Sequence, residues 1–164
     1  VQQILEPNMP ATPANFRNQI ASLTAALAGR PLDAALEDWL NREHGVGSAL
    51  YQGLHDACRD GVAAGWLCER EAGGIRYGRI FKPAPDLHDY SVDVVDMHEV
   101  VGPHHRHPHG EIDLVMPVEG DARFDGRPAG WVVLPPGSAH RPTVTAGRAL
   151  VLYLLPQGAI EFTR

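Results

Sequence analysis

Apolar residues in the first third of the chain recur at steps of three and four; beyond residue 65 they alternate with polar ones or run in short blocks broken by Gly and Pro. The first pattern predicts helices and the second predicts strands. Thr12 offers an N-cap hydroxyl, Pro13 suits a first helical position, and Phe16, Ile20, Leu23 and Leu27 share one face before a stop at Gly29. Pro31 restarts the pattern with Leu32, Leu36, Trp39 and Leu40 as its apolar stripe. Asp33, Glu37 and Asp38 favour its N-terminal half, and Gly45 and Gly47 end it. Ser48 caps a third helix whose stripe is Leu50, Leu54, Cys58 and Val62, with Tyr51 and His55 beside that stripe and Gly61 and Gly65 weakening its end. Residues 1–11 carry Pro7 and Pro10 without periodicity and predict an extended arm.

From Trp66 onward, WLCER, EAGG and IRYGRIF predict a β-hairpin with Gly73 and Gly74 in the turn. The Val-rich segment Tyr90–Val101 predicts a long strand, and shorter ones are predicted over 112–118, 122–124, 131–134, 149–155 and 160–162. Short strands joined by Gly/Pro turns predict a mainly β fold, a sandwich or barrel, behind two or three α-helices. The expected organisation is an arm and helical region over 1–65 and a β-barrel over 66–164, together one structural unit.

A length of 164 residues suffices for a core, and 44% hydrophobic with 21% charged residues excludes extensive disorder. Helices followed by a hairpin also match a winged-helix DNA reader. The formal charge of −6 argues against it, as does a would-be recognition helix, ALYQGLHDACRDG, with one Arg against two Asp. We expect no nucleic-acid partner. No apolar run approaches the roughly 20 residues of a membrane helix and no signal peptide is evident, so no membrane association and a cytoplasmic location are expected. Cys58 and Cys68 match neither CxxC nor a disulfide framework and read as buried, reduced thiols.

Chemistry concentrates in GPHHRHPHGEIDLVMPVEG, residues 102–120, where four of nine histidines fall within six positions. Imidazoles and carboxylates crowded on one segment point to a divalent metal. On a strand His105, His107 and Glu111 share a parity, as do His109 and Asp113. A strand that bends at Pro108 and Gly110 lets the carboxylate of Glu111 close the side opened by the two imidazoles. A fourth ligand must come from elsewhere, and His140 in PPGSAHRP follows a tight turn able to present it to a neighbouring strand.

These two segments resemble the motifs of the cupin superfamily. His105, His107 and Glu111 meet the heart of G(X)5HXH(X)3,4E(X)6G, and Pro135, Gly137 and His140 that of G(X)5PXG(X)2H(X)3N. The chain departs at the flanking glycines: Gly102 is too close to His105, Gly120 follows Glu111 by eight residues instead of six, and Gly130 is one short. It also lacks the Asn after His140. A rival register, His107, His109 and Asp113, places Gly120 at the family distance; the Glu-containing set is preferred because the family favours Glu. His88, His98 and His104 read as plain polar positions.

The resemblance implies a single cupin jelly roll holding Fe, Mn, Ni, Co or Zn on His105, His107, Glu111 and His140. More narrowly, a helical region leading into VVDMHEVVGPHHRHPHGEIDLVMP resembles the 4-hydroxylaminobenzoate lyase family of nitroaromatic breakdown. That implies a small aromatic substrate, 4-hydroxylaminobenzoate, converted to protocatechuate and ammonia with the metal as Lewis acid. His109 is the first candidate for proton shuttle and Asp113 the second. Arg79, Arg123 or Arg141 is expected to bind the substrate carboxylate, and Trp131 or Tyr153 to wall its ring. Alternatives from other classes are an Fe(II) cupin dioxygenase acting on a small aromatic and a non-catalytic small-ligand-binding cupin. Cupins commonly dimerise, so a homodimer is possible.

Overall fold

The computed structural model describes residues 11–163; the expected arm over 1–11 falls almost entirely outside them. Three helices come first: α1 Pro13–Leu27, α2 Ala34–His44 and α3 Ala49–Ala64. Each begins at a side-chain cap, with Thr12, Asp33 and Ser48 accepting from the N–H of Asn15, Leu36 and Tyr51. Such caps satisfy donors that the first helical turn leaves orphaned. Gly65 ends α3 in the left-handed region, at φ 85°.

Nine strands follow: β1 Arg70–Ala72, β2 Ile75–Phe81, β3 Tyr90–Val101, β4 His105–His107, β5 Glu111–Phe124, β6 Gly130–Leu134, β7 Ser138–His140, β8 Thr143–Pro156 and β9 Glu161–Phe162. They form a six-stranded sheet of order β1-β2-β3-β8-β5-β6 and a three-stranded sheet of order β7-β4-β9, every pairing antiparallel. This is the expected β-rich jelly roll with a helical N-terminal region. The hairpin starts later than WLCER suggests. Leu67 and Cys68 are buried against the helices, Cys68 has φ 55°, and pairing begins only at Arg70. The segments expected over 112–118 and 122–124 are one strand, β5, whose register shifts near Pro117 and Gly120.

The large sheet is buried on both faces, which explains its near-continuous apolar runs. Its outer face presents Val92, Val94, Ile112, Leu114, Met116, Trp131, Val133, Leu150, Leu152 and Leu154 to the helix residues Phe16, Ile20, Leu36, Leu40, Leu54 and Cys58. The alternate residues Val95, Val115, Val132, Val151 and Tyr153 line the barrel interior. Helix α2 also covers the β6 edge. Asn41 pairs with both backbone groups of Trp131, Glu37 Oε1 accepts from Val133 N at 2.9 Å, and the Trp131 indole donates to His44 O. Those bonds satisfy an edge that would otherwise be open to another chain. Tyr51, expected on a helix flank, is buried: its hydroxyl approaches Val115 O and His55 Nε2 approaches Pro117 O, which ties α3 to β5.

Candidate metal centre

The small sheet assembles the site through its register. In the β4–β7 pair His105 stands opposite His140, and His107 opposite Ser138. A turn then carries the chain from β4 into the large sheet, where Glu111 opens β5. Gly110 makes that turn with φ 86°, and a Cβ there would lie 2.7 Å from Leu134 O and 2.8 Å from Leu32 Cδ2. Only glycine takes this conformation without strain in so little space.

One donor atom from each of His105, His107, Glu111 and His140 falls within 4.8 Å of all the others. His107 Nε2 lies 2.9 Å and His140 Nε2 3.9 Å from Glu111 Oε2, and the Nε2 atoms of His105 and His140 are 3.1 Å apart. The opposite nitrogen of every ring is occupied. His105 Nδ1 lies 3.2 Å from Pro103 O, His107 Nδ1 3.0 Å from Ser138 Oγ and His140 Nδ1 2.5 Å from Asp125 Oδ2. The carbonyl at His105 and the carboxylate at His140 favour the ring proton on Nδ1, the Ser138 hydroxyl can accept from His107 Nδ1 likewise, and that tautomer turns three Nε2 lone pairs toward one point.

The donor set fits a divalent cation. With the ring proton on Nδ1, His107 Nε2 and Glu111 Oε2 meet at 2.9 Å as two fully buried acceptors, and with Glu111 Oε1 they lack a hydrogen-bond donor; an orphaned buried group costs about 1–3 kcal/mol, more when charged. A shared cation satisfies all three. Burial pushes the His105 pKa down to about 4, against the opposing pull of Glu111, so the ring is neutral near pH 7, as a metal ligand must be.

The surroundings are acidic. Asp113 is fully buried two residues along from Glu111 on the same face, with both oxygens unpartnered, and burial followed by the Glu111 charge raises its pKa well above the usual carboxylate range. Tyr153 stands opposite Asp113 on one side and Asp93 on the other. Burial, and then the neighbouring carboxylates, raise its phenol pKa as well. Asp93 takes the fork of Arg79, at 2.9 and 3.1 Å, and burial outweighs that guanidinium in raising its pKa.

A cavity of about 1040 Å³ opens beside the cluster, with His105, Tyr153, Asp93, Arg79, Tyr77 and Phe162 in its wall. Two proposed ring or carboxylate contacts, Arg79 and Tyr153, therefore reach it. Others do not. Arg123 is exposed and near Asp121, Arg141 is exposed, and Trp131 packs against α2 on the outer face. His109 is exposed and borders a different groove, with His88 and Asp89. The structure does not assemble the rival ligand register, because His109 is exposed on that other groove and not among the clustered donors. Sequence reading missed Asp125 and Asp93. Asp125 sits in a Phe-Asp-Gly turn, and Asp93 is an acid at an inward position of a Val-rich strand; both are visible signals.

No helix among the described residues is long and apolar enough to cross a membrane. Among solved structures, an RmlC-like cupin protein from Ralstonia eutropha JMP134 is similar over 57% of this chain and 62% of that one, at 14% identity and a TM-score of 0.44. The family described as PnbB, 4-hydroxylaminobenzoate lyase, matches residues 18–162. The 4-hydroxylaminobenzoate lyase of Nocardioides sp. (strain LMS-CY) is 32% identical over 98% of this chain and 94% of its own length. That of Pseudomonas putida is 32% identical over 90% of this chain and 96% of its own. With the family pattern running from α1 to β9 and relatives aligned over nearly their full length, this chain belongs to the 4-hydroxylaminobenzoate lyase family.

Proposed function

We propose that this protein is a metal-dependent lyase that converts 4-hydroxylaminobenzoate and water to protocatechuate and ammonia. The observation that carries the reading is a buried three-histidine, one-glutamate cluster, in a chain of this family, beside a cavity that also holds an arginine. His105, His107, Glu111 and His140 would hold a divalent transition metal, with Fe, Mn, Ni, Co and Zn all suited to imidazole and carboxylate. When bound, the ion supplies Lewis acidity toward an oxygen of the substrate.

The remaining work falls to the chain itself. Arg79 binds the substrate carboxylate, and its fork to Asp93 holds the guanidinium in one orientation. This leaves the hydroxylamino end of a para-substituted ring to face the histidines. Tyr153, whose phenol burial and nearby carboxylates keep neutral, lies in the cavity wall, where its hydroxyl would donate a hydrogen bond to the substrate. Asp113, next to Tyr153 in register, is the remaining acid–base candidate, since His109 is exposed on another groove. A positioned proton carrier is worth about 10²–10⁴-fold. The net change breaks the N–O and C–N bonds, one ring C–H bond and one O–H bond, forms two C–O and two N–H bonds, and consumes one water without net oxidation.

The test is anaerobic incubation of the metal-loaded protein with 4-hydroxylaminobenzoate, with protocatechuate and ammonium both measured. We expect both in equal amounts from the wild type and neither from His140→Ala. Dependence on oxygen would replace the lyase with a dioxygenase, and undiminished product from His140→Ala would remove the cluster from the reaction.

A further inference from the structure

Phe162 is the most exposed of the large hydrophobic residues described, at 68%. A lone exposed apolar side chain needs no explanation, but the position of this one does. It stands directly opposite His105 in the β4–β9 register, its ring centroid lies 5.7 Å from that of His105 at 66°, and it lines the cavity along with Ile160 two residues earlier. Tyr77, a second exposed aromatic at 37%, lines the same cavity from β2.

The exposure does not come from a loose end. Gly158 O accepts from Arg79 at 3.3 Å, Arg106 pairs with Glu161 at 3.2 Å, and Thr163 N donates to His104 O at 3.0 Å. The Thr163 hydroxyl also bonds to His104. Backbone and side-chain ties on both sides thus fix the strand from which the Phe162 ring lines the cavity beside His105, a metal-ligand candidate. A surface fixed in advance loses little freedom when a ligand covers it.

We propose that Phe162 is the platform on which the aromatic ring of the substrate stacks, so that β9 selects planar rings for the adjoining centre. The inference rests on the reading of the substrate as a small aromatic acid. One end of that acid meets Arg79, which also holds the start of this C-terminal segment through Gly158, and its ring covers Phe162. An offset or edge-to-face aromatic pair adds about a fivefold preference beyond simple area burial.

The experiment compares binding of benzoate and cyclohexanecarboxylate to the metal-loaded full chain by calorimetry. Both probes carry the same carboxylate, so the Arg79 contribution cancels in the ratio of affinities. Wild type should prefer benzoate about fivefold; Phe162→Ala and Phe162→Leu should bring the ratio near one, and Phe162→Tyr should keep it. The proposal is overturned if wild type has no preference, or if Phe162→Ala retains it. It is likewise overturned if that variant only changes the oligomeric state, which would make Phe162 a contact between copies. Loss of the lyase reading is a separate outcome: no protocatechuate forms, yet the ratio still tracks the ring at position 162.

Discussion

The two faces of the six-stranded sheet are made by the same strands and differ in almost every chemical respect. On β5 the outward residues are Ile112, Leu114 and Met116, and the inward ones begin Glu111, Asp113, Val115. On β8 the outward residues are Leu150, Leu152 and Leu154, and Tyr153 faces in toward Asp93 and Asp113. The outer face is satisfied within the chain by helix packing. The inner face carries the four buried carboxylate oxygens of Glu111 and Asp113, none with a hydrogen-bond donor, and Glu111 meets His107 of the small sheet at 2.9 Å. Burial of apolar surface on one side therefore supports polar groups on the other that the fold alone does not satisfy, and a ligand set of this kind depends on that support.

The largest expected effect breaks the inner face. Glu111→Gln keeps shape and removes the charge, so metal content should collapse and turnover fall by about 10³-fold or more, a loss of several kcal/mol of transition-state stabilisation. Metal-free stability should not fall, because the variant removes a buried charge whose oxygens accept no hydrogen bond and face the Nε2 atom of His107 at 2.9 Å. Thermal unfolding with and without a chelator checks both halves: wild type should gain from metal and the variant should not. A variant that unfolds far below metal-free wild type would mean that Glu111 is part of the structural core.

The next effect breaks the outer face. Leu152 is fully buried between the sheet and the helices, so Leu152→Ala should cost about 2–5 kcal/mol in denaturant unfolding. The metal affinity of the molecules that remain folded should be unchanged. If metal affinity falls in step with stability, the two faces are coupled and the separation drawn between them is wrong.

Much of this contrast was legible in the sequence because its signals are local. Thr12, Ser48 and Asp33 sit next to the apolar periods they cap, and β3 was readable end to end from its Val-rich run. The candidate donors His105, His107 and Glu111 were legible because HxH and a nearby Glu lie within seven positions. What failed depended on continuity or on distant partners. His109 shares a parity with Asp113 only along a continuous strand, whereas it lies in the turn between β4 and β5 and is exposed. Tyr51 lies one step from a helical stripe and is buried because β5 happens to offer a carbonyl there. Asp93 and Asp125 acquire their meaning from Arg79 and His140, 14 and 15 residues away on other strands. Composition carries no mark of such pairings.

The smallest expected effect sharpens the comparison at the boundary between protein-satisfied and ligand-satisfied groups. Asp125 belongs to both. Its Oδ1 accepts from Thr143 N at 2.9 Å, a bond internal to the fold, and its Oδ2 meets His140 Nδ1, a bond that orients a ligand. Asp125→Asn preserves an acceptor for one of these but removes the charge that favours an Nδ1 proton on His140. Outer partners of this kind are typically worth 10–100-fold in metal affinity, so competition against a chelator of known strength should show a loss of about that size. Unfolding of the metal-free variant should stay close to wild type, since Thr143 keeps its acceptor. Unchanged metal affinity would show that β7 and the barrel wall alone orient His140, and that Asp125 belongs with the groups that hold the fold.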